Sequence, residues 1–219
     1  MTIIENMHFS GFPGRDQDNL RQLSYEGRVA WFRYRFNLVF LTPFRRLVAL
    51  EAPDCYIWLC AMNLAGSAVE ALANLCVRRG HDHEKVPSFL DQYFEGFRGN
   101  TFQLDDPRLG RGEAHTAAEH FYKYFRSSLA HTFCIEWGGL QHREEIGEPI
   151  VGYLFATTQG PGGQHGLGMI PRDFVVDFEQ ACAAALDAVA NAPADDPLRE
   201  SFDRAFNRVF LLKNRPPVP

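Results

Sequence analysis

The sequence contains no Cys-x-x-Cys pair, although five cysteines are present. Cys55, Cys60, Cys76, Cys134 and Cys182 are odd in number, and each lies in an apolar helical context. That points to buried free thiols rather than a zinc site or a disulfide framework, and it fits a reducing cytoplasm. Residues 1–11 have neither the cationic start nor the apolar core of a signal peptide. The longest apolar run, Cys55 to Val69, contains Asn63 and stops at Glu70, short of the roughly 18 to 20 residues that span a bilayer. These absences lead to the expectation of a soluble, cytoplasmic protein with no membrane association.

Familiar catalytic signatures are also missing. No Gly-x-Ser-x-Gly elbow marks a serine hydrolase. The Gly-rich stretch Gln159–Gln164 lacks the Lys-Ser/Thr of a phosphate-binding loop. His81, His83 and Glu84 follow a helix stop at Gly80, and His115, Glu119 and His120 cluster further on. Neither group has His-Glu-x-x-His geometry, so exposed loop histidines are expected, with no metal and no cofactor. An excess of positive charge is lacking too. The net charge of −5 argues against a generally basic, nucleic-acid-coated surface while leaving room for a local basic groove.

What is present is a hydrophobic content of 46% in 219 residues, enough for one domain with a sizeable core. Residues 1 to about 18 are Gly/Pro-broken and predict a loop. From about 19 to 50 the steps between Trp31, Tyr34, Leu38 and Leu41 predict helix, broken or kinked at Pro43. This segment is rich in arginine, and Arg33, Arg35, Arg45 and Arg46 are candidates for a phosphate-binding strip. A solvated helix face is the alternative. Pro53 is placed to open a central buried helix that stops at Gly80, with Ala65, Gly66 and Ala68 permitting close helix approach. Glu70 stands alone among its apolar neighbours. A short helix from about 86 to 97, opened by Pro87, precedes a loop at 98–112. The helix after it covers about 114 to 133.

Two β-rich runs, 150–157 and 166–176, flank the Gly-rich turn and predict a β-hairpin. Helices at about 177–192, capped by Asp177, and 197–213, with Leu198, Phe202, Phe206, Val209 and Phe210 on one face, complete the chain. The expected architecture is a mainly α single domain over 1–219. Its helical core occupies about 19–134 and 177–213, and the hairpin elaboration lies at about 148–176.

The polar residues closing the 114–133 helix carry the chemistry. In Tyr122-Lys-Tyr-Phe-Arg126-Ser127-Ser128-Leu-Ala-His131, a permanent planar cation suited to phosphate lies five residues before a group that titrates near neutrality. Five α-helical steps turn by about 140° from a common face. Arg126 and His131 therefore converge only if the helix loosens or a second subunit completes the site. Tyr122 and Arg126 share one face, and Ser127 and His131 another.

Arg126-Ser-Ser-Leu-Ala-His131 resembles the Arg-x(4–6)-His signature of the higher eukaryotes and prokaryotes nucleotide-binding (HEPN) superfamily. Val69-Glu70-Ala71-Leu72 is similar to a segment of that family's earlier helix, and the resemblance covers about 53 to 134. It implies an HEPN-like α-helical bundle, here with a β-hairpin inserted after the motif helix. It also implies a homodimer whose motifs face a shared cleft, and metal-independent endoribonuclease activity of the kind found in toxin–antitoxin and antiphage systems. Some members only bind nucleotide, RNA or a protein partner such as an antitoxin. By resemblance, His131 would serve as general acid or base, Arg126 would stabilise the phosphorane-like transition state, Ser127 would assist by hydrogen bonding, and Glu70 would orient Arg126. Ser127 departs from the family pattern, which commonly has asparagine, aspartate or histidine in that slot.

Overall fold

Ser24 starts the first long helix, accepting the Gly27 N–H at 3.2 Å, and so satisfies one of the donors a helix start leaves open. The structure, a computed structural model, describes residues 20–50, 55–77, 80–102, 115–127, 138–143, 146, 152–159 and 164–211. Helix α1 spans Tyr25–Phe36. Its buried stripe is Tyr25, Val29, Phe32 and Phe36 together with Trp31. The stripe expected from Trp31, Tyr34, Leu38 and Leu41 is therefore rotated, and Tyr34 and Leu38 are only half-buried.

Pro43 does not split the segment. The winding widens into a π-helical turn over Asn37–Leu41 and resumes as α2 over Thr42–Val48. Thr42 donates to the Asn37 carbonyl five residues back. Proline clashes with the carbonyl four residues before it in regular α winding, and the wider turn accommodates it.

Helix α3, Cys55–Cys76, is the central element. Ala61, Ala65, Ala68, Val69, Leu72 and Ala73 are completely buried, and the helices at 42–48, 82–93, 171–191 and 197–206 and the motif segment at 121–127 pack around it. Among the described residues, Tyr56–Cys76 is long and apolar enough by composition to cross a membrane, and half of that window is buried inside the fold. Helical winding continues past Glu70, so the apolar element is longer than its uninterrupted run suggested. Its outer edge is less covered, with Tyr56 and Cys60 exposed. The exposed Cys60 departs from the expectation of buried thiols, which Cys182 meets.

Gly80, at φ +110°, ends this region in the left-handed conformation that glycine adopts without strain. Helix α4 then runs Asp82–Tyr93, starting earlier than Pro87 suggested. Glu84 reaches back to accept the His81 N–H at 2.9 Å, and this local cap sets the boundary. Pro87 lies inside the helix.

A two-residue antiparallel ladder follows, β1 Thr101–Phe102 with β2 His115–Thr116; β1 lies in the region expected to be loop, and β2 takes the first residues of the helix expected over about 114 to 133. Helix α5, Ala117–His120, passes directly into π winding over Phe121–Ser127. A strand not anticipated from sequence, β3 Gly138–Leu140, comes next. Strand β4, Leu154–Gln159, and strand β5, Gln164–Met169, form the expected hairpin. Strand β3 pairs parallel to β5, giving the order β3-β5-β4.

The run to Val176 is strand only as far as Met169, because Pro171 opens helix α6, Pro171–Asn191. Proline suits a first helical position. Phe174 and Phe178, one turn apart, are fully buried in the core, so packing overrides the β preference of Val175 and Val176. Asp177 is consequently an interior, buried residue of α6 and not its cap. Asp196 caps α7, Pro197–Phe206, by accepting the Leu198 N–H at 2.7 Å. The same winding continues as a π turn over Asn207–Leu211. The fold is mainly α, with a small sheet laid against it. Residues 1–19 and the tail after Leu211 lie outside the described residues.

Candidate functional site

The motif helix is fastened at its start. Thr116 accepts the Glu119 N–H at 3.2 Å, and Glu119 accepts the Thr116 N–H at 2.8 Å, a reciprocal cap that satisfies two open donors. Ala117 donates to the Asn100 carbonyl at 2.8 Å, which ties this start to the turn after α4. Phe121 and Phe125 are fully buried, with near-parallel rings 5.7 Å apart. Phe121 also meets the edge of Phe97 at 5.3 Å and stacks on Phe174 at 6.0 Å. Burial of each phenylalanine stabilises by about 1.5–3 kcal/mol. The segment is thus held on α3 and α4 by its aromatic face.

The winding of this segment is the feature that bears on the motif. From Phe121 to Ser127 it is π-helical, so its hydrogen-bond repeat is five residues rather than four. A spacing of five, splayed in an α-helix, is the spacing that such winding brings toward a common side. Arg126 and Ser127 lie on the backbone of this turn, and Tyr122, half-buried, begins it. His131 lies outside the described residues. Among the described residues two other π turns, at Asn37–Leu41 and Asn207–Leu211, carry no comparable motif, so wide winding alone does not mark a site.

Glu70 is half-buried on α3, the helix on which the motif segment packs. The candidate arginines are on α1 and α2, whose principal partners are α3 and α6. Arg33 pairs with Asp187, and Arg45 Nε donates to Glu179 Oε1 at 2.7 Å. Arg35 lies over the Trp31 ring at 5.5 Å, a favourable cation–π position. Arg46 is exposed. Two of the four therefore serve as bridges to α6, and the strip is in part the solvated, ion-paired face that was the alternative.

The histidines divide differently from expectation. His81 and His83 are exposed and their rings stack at 5.5 Å. His120 is completely buried at the junction between α5 and the π turn, 5.7 Å from the His115 ring. Its position between Ala118 and Phe121 on the inner face places it in the core and not in an exposed loop. No group of three His, Cys, Asp or Glu side chains among the described residues is arranged to hold a metal ion.

Two features were not legible in the sequence. One is Asp177, which gathers the backbone after α4 and the Tyr153 hydroxyl. The other is a cavity of about 560 Å³ between α3, α4 and α7, lined by no residue of the motif helix among the described residues. Both assemble residues far apart in the chain, so no local signal announces them. No family model, curated protein or solved structure gives a significant match to this chain.

Proposed function

We propose that this protein is an HEPN-like, metal-independent endoribonuclease that acts as a homodimer in the cytoplasm, in a toxin–antitoxin or antiphage role. The observation that carries this reading is the π winding of Phe121–Ser127 through Arg126. The motif's five-residue spacing asks for a loosened helix, and π winding leads into the motif as far as Ser127 on a segment whose other face is locked by Phe121 and Phe125.

In the proposed reaction the ribose 2′-oxygen attacks the adjacent phosphorus and the bond to the 5′-oxygen breaks. His131 of one subunit accepts the 2′-hydroxyl proton, and the partner's His131 protonates the departing 5′-oxygen. The products are a 2′,3′-cyclic phosphate and a 5′-hydroxyl end. Arg126 stabilises the negative charge that builds on the phosphoryl oxygens. Ser127 donates a hydrogen bond, while Glu70 and Tyr122 orient the arginine. Arg35 and Arg46 supply phosphate contacts on the RNA flanks, joined by Arg33 and Arg45 when RNA displaces their carboxylates.

A second reading rests on a specific observation. Asp187 and Glu179 neutralise Arg33 and Arg45 on a chain of net charge −5, which favours a non-catalytic module that binds nucleotide, RNA or a protein partner such as an antitoxin. One experiment separates the two. Purified protein is incubated with single-stranded RNA in EDTA, and the product ends are analysed. Cyclic phosphate ends formed by the wild type and lost in His131→Ala, with helical circular dichroism unchanged, support the nuclease. RNA retention without cleavage supports the binding module. Equal cleavage by both proteins overturns the assignment of His131.

A further inference from the structure

The cavity between the C-terminal half of α3, the start of α4 and the α7 helix with its π turn has an apolar floor and a cationic rim. Phe32 and Leu75 are buried in its floor, with Phe210 beside them. Lys85, Arg204 and Arg208 line it, and no carboxylate does so among the described residues. On a chain with net charge −5, this is a local reversal of sign.

The cations are not consumed internally. Lys85 Nζ donates to the Asn74 side-chain oxygen at 3.1 Å, a neutral partner, and it pairs with no carboxylate among the described residues. Arg208 has no carboxylate partner among the described residues. Arg204 has Glu200 at 2.5 Å, and both side chains are more than half exposed, so that pair is screened and exchangeable.

A second observation points the same way. Ser201 also lines the cavity and is only 5% exposed. It borders the same space as Lys85 and Arg208, so a hydroxyl is added to the two cations on the cavity wall.

We infer that this cavity is a binding site for a small amphiphilic anion, an apolar body ending in a carboxylate or phosphate. The head group takes charge-assisted hydrogen bonds from Lys85 and Arg208, which are stronger than neutral ones, and the Ser201 hydroxyl completes its coordination. The body displaces water from Phe32, Leu75 and Phe210. The volume of about 560 Å³ falls in the range of small-molecule sites, roughly 300–1,000 Å³. The Ala71 and Ala205 side chains leave the space open.

The probe is 8-anilinonaphthalene-1-sulfonate, an apolar ring system bearing one anionic group, titrated by fluorescence against the folded full chain. Saturable 1:1 binding is expected, distinct from the diffuse binding that loosely packed states show. In the double variant Lys85→Gln/Arg208→Gln, the Kd rises tenfold or more with circular dichroism unchanged. Ala71→Phe abolishes binding by filling the floor. Dodecanoate or dodecyl phosphate displaces the probe, and dodecanol at the same concentration does not; whichever anion competes more strongly identifies the head group. The His131→Ala variant binds as the wild type does, so this result stands apart from the fate of the nuclease reading. Absence of saturable binding, equal affinity in the double variant, or equal displacement by the neutral alcohol would overturn the inference.

Discussion

The Tyr153 hydroxyl donates to Asp177 Oδ2 at 2.5 Å, and the same carboxylate accepts the N–H groups of Glu95 at 3.0 Å and Gly96 at 2.8 Å. One buried acid on α6 therefore joins the turn after α4 to the residue that leads into strand β4. Desolvation by burial, and then the hydrogen bond to Asp177, push the Tyr153 hydroxyl well above its ordinary range. The protonated hydroxyl is the favoured form, and the carboxylate is held by these three donors.

Replacing Asp177 with alanine should lower stability by about 3 kcal/mol, since it leaves buried donors without an acceptor. Tyr153→Phe, which removes a single donor, should cost about 1 kcal/mol. Urea unfolding of the two single variants and of the double variant measures both values. A smaller destabilisation by Asp177→Ala than by Tyr153→Phe would show that the acid is not the organising group.

Gly96 tests the same joint sterically. A Cβ there would lie 2.3 Å from the Tyr153 ring, and that ring is pinned by Asp177. Gly96→Ala should cost about 2 kcal/mol, with most of the effect relieved in the Tyr153→Ala background, where the obstructing ring is gone. Gly168→Ala meets the Phe155 ring at a similar 2.3 Å. Phe155 is only half-buried and has room to move, so its effect should be smaller, about 1 kcal/mol. Thermal denaturation of the two single variants ranks them.

Alkaline pH should destabilise the protein. Burial pushes the Cys76 thiol up to about 12 from an ordinary 9.0, and Cys182 is raised by burial too. Tyr25 and Tyr93, raised by burial, reach about 12 from 10.0. In each case the fold favours the protonated form, so native protein retains protons that the unfolded chain gives up. Stability from these groups is fully present below pH 9.0 for the thiols and 10.0 for the tyrosines. It is lost as pH rises through the raised values. The Tm measured from pH 7 to 11 should be flat at first and fall beyond about pH 9. A Tm that rises over that interval would contradict the assignment.

The arginines of α1 and α2 should separate by pairing. Arg33→Gln and Arg45→Gln break exposed ion pairs and should each change stability by less than about 1 kcal/mol. For RNA binding, Arg35→Gln/Arg46→Gln should weaken affinity and reduce the slope of log K against log salt by about 0.7 for each phosphate that is no longer neutralised. Arg33→Gln/Arg45→Gln should have the smaller effect, because those cations already have carboxylate partners. Filter binding at several salt concentrations decides this. Identical slopes in all three proteins would place the RNA path elsewhere.

Several elements were readable because their signals are local. Gly80 stops one region through its own φ, and Asp196 and Pro197 start α7 through neighbouring backbone donors. The hairpin follows from two β-rich runs around a Gly-rich turn. Expectation and structure part where other forces set the boundary. Val175 and Val176 look like strand, yet Phe174 and Phe178 draw them into a helix by packing on the aromatic core. The start of α4 depended on a contact between Glu84 and His81 that outweighed the more conspicuous Pro87. At the motif, the need for a loosened helix was legible from spacing alone. That the winding widens as far back as Phe121 was not.

Periodicity and composition act within a few turns of chain, and they were enough to establish the mainly helical class, the central apolar helix and the Arg126–His131 spacing. Folding in three dimensions was needed to make Asp177 a buried joint, to occupy Arg33 and Arg45 in part with carboxylates of α6, and to bring Lys85, Ser201 and Arg208 to one cavity. Each of these depends on side chains far apart in sequence meeting across packed helices, and their energies come from desolvation and geometry that exist only once the core has closed.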